Sequence, residues 1–168
     1  GAAMAGGVNT AAGGEGGAGG GGFSNQASAY ASVVPGGDSN EAGGMYGFAA
    51  GRRAKVAHEG TFSWADSTDA DFTSTGPNQF LIRASGGVGI GTNAPATKLH
   101  VKSGDAAADY QVLTLESDSP GATALMLKNN ATNGRTWQIS SFTNVGPGFY
   151  GSLSFFDATA QVHRMMIS

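Results

Sequence analysis

The sequence predicts an all-β chain: a parallel β-solenoid with coils of about fifteen residues, a glycine-rich strand junction, and a small antiparallel β module. Three observations carry this expectation. A fifteen-residue frame repeats between Ser24 and Asp66, and a short fixed period means one coil per repeat. Of the 29 glycines, 18 fall in residues 1–60, which disfavours helix there, since each glycine costs about 1 kcal/mol in a helix interior. Beyond residue 103, alternating apolar segments are separated by turn dipeptides, the pattern of an antiparallel sheet.

Residues 1–22 carry little side-chain volume and read in isolation as a flexible linker. Set against the repeat, Val8-Asn9-Thr10-Ala11 matches Ser24-Asn25-Gln26-Ala27, so this stretch is expected to form a thin first coil. In the following coils Asn25, Asn40 and Lys55 hold one position of the frame, and Ala27, Ala42 and Ala57 another. Val34, Ala49 and Trp64 share a later apolar position, and Gly36 and Gly51 recur, with Asp66 in the third copy. Strands are expected at 29–34, 45–50 and 60–65. Each coil offers only about three large apolar residues. A solenoid of so few coils is too thin to offset its own chain entropy. An obligate homo-oligomer follows, with small residues letting backbones approach closely.

The frame seen as Asn40, Ala42, Tyr46, Ala49 and Gly51 resembles the head repeats of trimeric autotransporter adhesins. Closely similar repeats occur in bacteriophage tail fibres and bacterial tail-fibre-like surface proteins. The resemblance covers roughly residues 8–66. It implies a left-handed parallel β-roll, three rolls packed side by side, and hence a homotrimer. The family's usual period is fourteen, one shorter than the frame read here.

A polar edge follows the second coil. Asp66, Asp69 and Asp71 offer oxygens to a hard cation such as calcium, but their spacing lacks the glycine and distal glutamate of an EF-hand loop. The alternative is a solvated loop whose acidic and hydroxyl residues cap turns. Arg52 and Arg53 are candidates for an anionic sugar or, preferably, for intersubunit pairing with Glu59 or Asp66. His58 is a further candidate contact; His58-Glu59 lacks the second histidine of a metalloprotease helix. Trp64 is expected to plug the core, with sugar stacking as the alternative.

Residues 76–102 read as strand, glycine turn, strand, proline turn, strand. Gly87-Val88-Gly89-Ile90-Gly91-Thr92, with Pro95, Lys98, Leu99, His100 and Val101, looks like a recurrent linking motif of tail-fibre-type proteins. A dinucleotide-binding reading fails because Asn93-Ala94-Pro95 blocks the helix that must follow the glycines. The domain plan is thus repeats in 1–75, a junction in 76–102 and a C-terminal module in 103–168. Within the module, strands are expected at 111–116, 124–128, 136–142, 152–156 and 162–167. Their inward faces would carry Leu113 with Leu115, Leu125 with Leu127, Trp137 with Ile139, Leu153 with Phe155, then Met165 and Ile167.

Composition narrows the function. With 12% charged residues and a net charge of -3, the chain offers no basic surface for phosphates. It has no cysteine, which removes disulfides, thiolate metal sites and cysteine nucleophiles. No apolar run approaches the ~20 residues of a membrane span. No catalytic residue, cofactor or nucleic acid is expected. The start at Gly1, ahead of Met4, suggests a piece of a longer protein. The resemblance implies a structural segment of an extracellular trimeric fibre, on a virion tail or a bacterial cell surface, engaging a surface glycan or protein receptor. The alternatives are a carbohydrate-binding module in 103–168, stacking sugar on Trp137, Phe149 or Tyr150, and a glycan-degrading tailspike. The latter needs paired carboxylates, for which Asp66, Asp69 and Asp71 lack a partner.

Overall fold

The computed structural model describes residues 1–104, 113–118, 122–142 and 153–167. The chain divides into two compact units, 1–102 and 103–168. Among the described residues there is no helix.

Unit one is a parallel β-solenoid. Its strands are β1 (Ala3–Met4), β2 (Ala11–Ala12), β3 (Ala18–Gly19), β4 (Gln26–Ala27), β5 (Val33–Val34), β6 (Gly37–Asp38), β7 (Glu41–Ala42), β8 (Phe48–Arg52), β9 (Ala54–Val56), β10 (Phe62–Ala65), β11 (Phe72–Thr73) and β12 (Phe80–Arg83). They form two ladders. The first sheet runs β1-β3-β5-β8-β10-β12, with β6 also paired to β8; the second runs β11-β9-β7-β4-β2. Residues 1–22 are therefore a coil of the solenoid.

The strand register corrects the frame at both ends. Val8 bridges Phe23 and Ala12 pairs with Ala27, so the true match in the first coil lies one residue later than the motif alignment. Glu41 pairs with Lys55 and Ala42 with Val56, a step of fourteen. Val33 still pairs with Phe48 at fifteen, while Gly37 pairs with Gly51 at fourteen. One residue has therefore dropped out opposite Pro35-Gly36. Proline has no N–H to give a ladder, and it splits β5 from β6; without it, β8 runs unbroken through the same level. Ala54, not Lys55, is thus the register partner of Asn40, and the fourth coil puts Val56, not Ala57, in the core.

The corners are built from stacked left-handed residues. Asn9, Ser24, Ser39 and Arg53 have φ between 50° and 59°, one per coil, and Ala31 and Tyr46 occupy a second such column at 49° and 57°. Holding so many non-glycine residues there is strained. Buried side chains over-determine the first corner. Asn40 Oδ1 accepts the Ala54 N–H at 3.0 Å. Its Nδ2 lies 2.8 Å from Gly51 O, 3.1 Å from Gly36 O and 3.1 Å from Asn25 Oδ1. Asn25 repeats the motif one coil earlier, donating to Gly37 O at 2.9 Å and Gly21 O at 3.1 Å. Asparagine suits this place because one amide satisfies both corner carbonyls and the next coil's N–H. At Gly37 and Gly51 an added Cβ would collide with the carbonyl of the next coil, and both have positive φ, so only glycine fits.

The interior is small. Ala27, Val34, Ala42, Ala49, Ala54, Val56 and Ala65 form the buried cluster, with Phe72 packed against it. The junction strands β13 (Val88–Ile90) and β14 (Leu99–Val101) form a separate parallel pair, Val88 opposite Leu99. The glycines of that motif are explained within the chain: Cβ atoms at Gly87, Gly89 and Gly91 would strike the carbonyls of Thr97, Thr92 and Lys102.

Unit two holds a four-stranded antiparallel meander, β15 (Ala122–Lys128), β16 (Thr136–Phe142), β17 (Leu153–Asp157) and β18 (Val162–Ile167). Asn133-Gly134 makes the first turn, with the Gly134 N–H bonded to Ala131 O at 2.8 Å. Asp157, fully buried, holds the last turn: its carboxylate accepts the Ala160 N–H at 3.0 Å and pairs with Arg135 at 2.7 Å and Arg164 at 3.2 Å. The expected strand at 111–116 begins outside the described residues, and Leu113–Glu116 has no strand structure. Leu113 and Leu115 are exposed, against the expectation that they face inward.

Candidate functional site

The two sheets of the solenoid share a core and differ in what they turn outward. Strand side chains alternate between faces, so each sheet exposes fixed columns. On the first sheet one column reads Ala3, Ala18, Val33, Phe48, Phe62, Phe80. The rings of Phe48 and Phe62 stack at 4.6 Å, and those of Phe62 and Phe80 at 4.7 Å. The spacing is that of the strands themselves. The neighbouring column includes Ala50, Trp64 and Ile82, and Phe80, Trp64 and Ile82 are 69%, 41% and 39% exposed. Trp64 therefore does not plug the core; the fourteen-residue step puts Ser63 at the level of Ala49 and turns the indole outward. At the other end the same face is hollow, a depression of about 350 Å³ lined by residues including Ala3, Ala5, Ala18, Gly20, Val33 and Pro35. No charged residue stands in these columns.

The second sheet's outward column is polar: Gln26, Glu41 and Lys55 stand in register, with Lys55 Nζ 3.7 Å from Glu41.

The polar edge is an expanded corner. Between Gly51 and Ala54 the chain turns with Arg52-Arg53; between their register partners Ala65 and Phe72 it needs Asp66–Asp71. Arg83, from β12, closes this loop. Its Nε bonds Asp66 Oδ1 at 3.1 Å, Nη1 donates to Ala70 O at 2.7 Å, and Nη2 donates to Arg52 O and Thr68 O at 3.1 Å. The guanidinium also lies over the Phe72 ring, 5.3 Å from its centroid. The Ser85 N–H donates to Asp66 Oδ2 at 2.7 Å and the Thr68 N–H to Oδ1 at 3.2 Å. These hydrogen bonds, Ser85 foremost, hold the Asp66 carboxyl well below the usual carboxylate range.

The arginines named from the sequence have partners inside the chain. Arg52 pairs with Asp69 at 3.1 Å and Asp38 at 3.4 Å, Arg53 with Asp71 at 2.9 Å and Asp69 at 3.4 Å. These partners all lie within one chain. The aspartates considered for calcium each face an arginine, and no group of three acidic or histidine side chains able to hold a metal occurs among the described residues. His58 Nδ1 lies 2.8 Å from Ser74 Oγ, which accepts the Ala57 N–H: a corner contact. Tyr150 lies outside the described residues. Trp137 stands in register with Leu127 and Asp157 on the unit-two sheet and is 37% exposed.

Sequence reading missed two features. One is Arg83, whose signal was a lone cation in an apolar strand following an acidic loop. The other is the phenylalanine column, hidden because Phe48, Phe62 and Phe80 are fourteen and eighteen residues apart, off the fifteen-residue frame. Comparison of the chain with family models, curated proteins and solved structures gives no match.

Proposed function

We propose that the chain is a structural segment of an extracellular homotrimeric fibre, with a receptor-binding role on a virion tail or a bacterial surface. The observation that carries this reading is an inverted size distribution. The largest buried hydrophobic side chain in the solenoid is valine, while Phe80, Trp64 and Ile82 are exposed. Unit two repeats the pattern. Leu125, Ile139, Phe155 and Met165 stand in cross-strand register, and Leu125, Leu127, Trp137, Leu153, Met165 and Ile167 are each more than a third exposed. Apolar faces of this extent on an isolated chain mark interaction surfaces. Association of parallel copies buries them and supplies the core that the thin solenoid lacks.

The number three rests on the resemblance of the Asn40–Gly51 repeat to adhesin heads and tail fibres. The mechanism is display: identical weak sites on one stiff axis gain avidity through effective concentration. The test is mass in solution by light scattering across a dilution series. Three times the chain mass, held at low concentration, is expected; a stable monomer overturns the reading.

A further inference from the structure

We infer that the outer face of the first solenoid sheet, the one bearing Phe48, Phe62 and Phe80, is the surface through which copies of this chain meet, side by side and in the same direction. The inference rests on the parallel bundle proposed above and identifies which of the faces turns to the shared axis.

Two alternatives are available on the solenoid, and chemistry separates them. The second sheet shows Gln26, Glu41 and Lys55 outward, and in a symmetric bundle each like charge would meet its own copy near the axis. The charged corner at Arg52, Arg53, Asp69 and Asp71 already pairs within the chain. The two columns through Phe48, Phe62 and Phe80 and through Ala50, Trp64 and Ile82 have neither charge nor side-chain hydrogen-bonding groups apart from the Trp64 indole N–H. Arg52, the next outward residue on β8, is already paired with Asp38 and Asp69, so desolvating the columns leaves little unsatisfied.

Area supports the same choice. With aromatic side chains of ~150–250 Å² each, the exposed fractions of Phe80, Trp64 and Ile82 and the half-buried Val33, Phe48 and Phe62 leave roughly 400–500 Å² of apolar surface per copy. That is over half of the ~800 Å² per partner of a standard interface, before the alanine and glycine surface of the hollow end is added.

The graded column gives the direction meaning. In a same-direction bundle each coil meets its own counterpart. Ala3 and Ala18 then let backbones close on one another at one end. The stacked phenylalanines of each copy build aromatic layers at the other.

The test uses the full chain, which has no cysteine of its own. Single cysteines are introduced as Ala18→Cys, Ile82→Cys and, on the second sheet, Gln26→Cys. Each assembled variant is treated with a mild oxidant and, in parallel, a short bismaleimide. Ala18→Cys and Ile82→Cys are expected to link to their own copies, and Gln26→Cys to remain unlinked. With one thiol per chain and three copies, linkage should stop near two thirds of the chains. Gln26→Cys linking while the other two do not, at an unchanged assembled mass, would overturn the face and leave the fibre reading standing. Mixed Ala18→Cys and Ile82→Cys chains that link to each other but not to themselves would overturn the direction. A monomeric mass would remove the proposed function itself.

Discussion

The two sheets of the solenoid are a matched pair. They enclose the same small interior, climb by the same steps and are joined through the same corners, yet one turns out phenylalanine, tryptophan and isoleucine and the other glutamine, glutamate and lysine. The inward residues and the corners specify the coil. The outward residues are free of that duty, so a difference between the two outer faces reflects what each face meets. The sharpest way to break this comparison is to exchange the faces' chemistry. Phe62→Asp should dissociate the assembly, raising its dissociation constant by roughly 30- to 1,000-fold, the range for loss of a ~2–4 kcal/mol interface anchor. Gln26→Asp, outward on the other sheet, should leave the mass unchanged. Sedimentation equilibrium reads both; equal effects would mean that the faces do not differ in role.

The corners, by contrast, should be indifferent to which face is outward. Asn40→Ala removes the amide that serves Gly51 O, Gly36 O and the Ala54 N–H. Buried groups left unpaired cost about 1–3 kcal/mol each, so unit one is expected to lose about 3 kcal/mol in denaturant unfolding. Glu41→Ala, one residue away, breaks only a partly exposed 3.7 Å ion pair and should change stability by less than ~1 kcal/mol. The two neighbours in sequence thus separate coil-forming from surface duties.

How much of this was legible in the sequence follows the same division. Period, coil class and antiparallel module were legible because corners and turns require particular residues: asparagine where an amide must serve three backbone groups, glycine where another coil's carbonyl leaves no room. The fourth coil was misread because its one-residue deletion opposite Pro35-Gly36 is invisible until strands are paired. Trp64 was misplaced for that reason, since a slip of one residue sends a strand side chain to the opposite face. Arg83 could not be identified because its partners lie thirteen to thirty-one residues away, at a distance in sequence that no local pattern spans.

The expanded corner sharpens the comparison along the solenoid's length, because only here does charge organise a coil. Asp66 has its carboxyl depressed in the folded state by the Ser85 and Thr68 N–H groups. A depressed carboxyl contributes stability that is fully present above the unfolded-state value, about 3.9. That contribution declines as pH falls below about 4 and is gone once pH passes the folded-state value, well under the usual range. Hydrogen exchange at residues 66–71 should therefore stay protected down to about pH 4 and rise below it. Asp66→Asn should remove that pH dependence. The asparagine corner at Asn40, which does not titrate, should show no such change over the same range.

A small gain in stability is expected in the interior common to both sheets. Ser63 is fully buried at the level of Ala49, and its hydroxyl has no hydrogen-bond partner. A buried unpaired hydroxyl carries a desolvation cost of about 1–3 kcal/mol. Ser63→Ala removes the cost and leaves a Cβ that the same column already accepts at Ala49. The variant should unfold at higher denaturant, with a gain of roughly 1 kcal/mol, the low end because the vacated space is one atom in a tightly coiled interior. Since Ser63 faces inward between two outward residues, Phe62 and Trp64, its substitution should leave the assembled mass unchanged. A variant that gained stability and lost assembly would mean that interior and outer face are coupled through β10, and the division between coil-forming and partner-facing residues would fail at that strand.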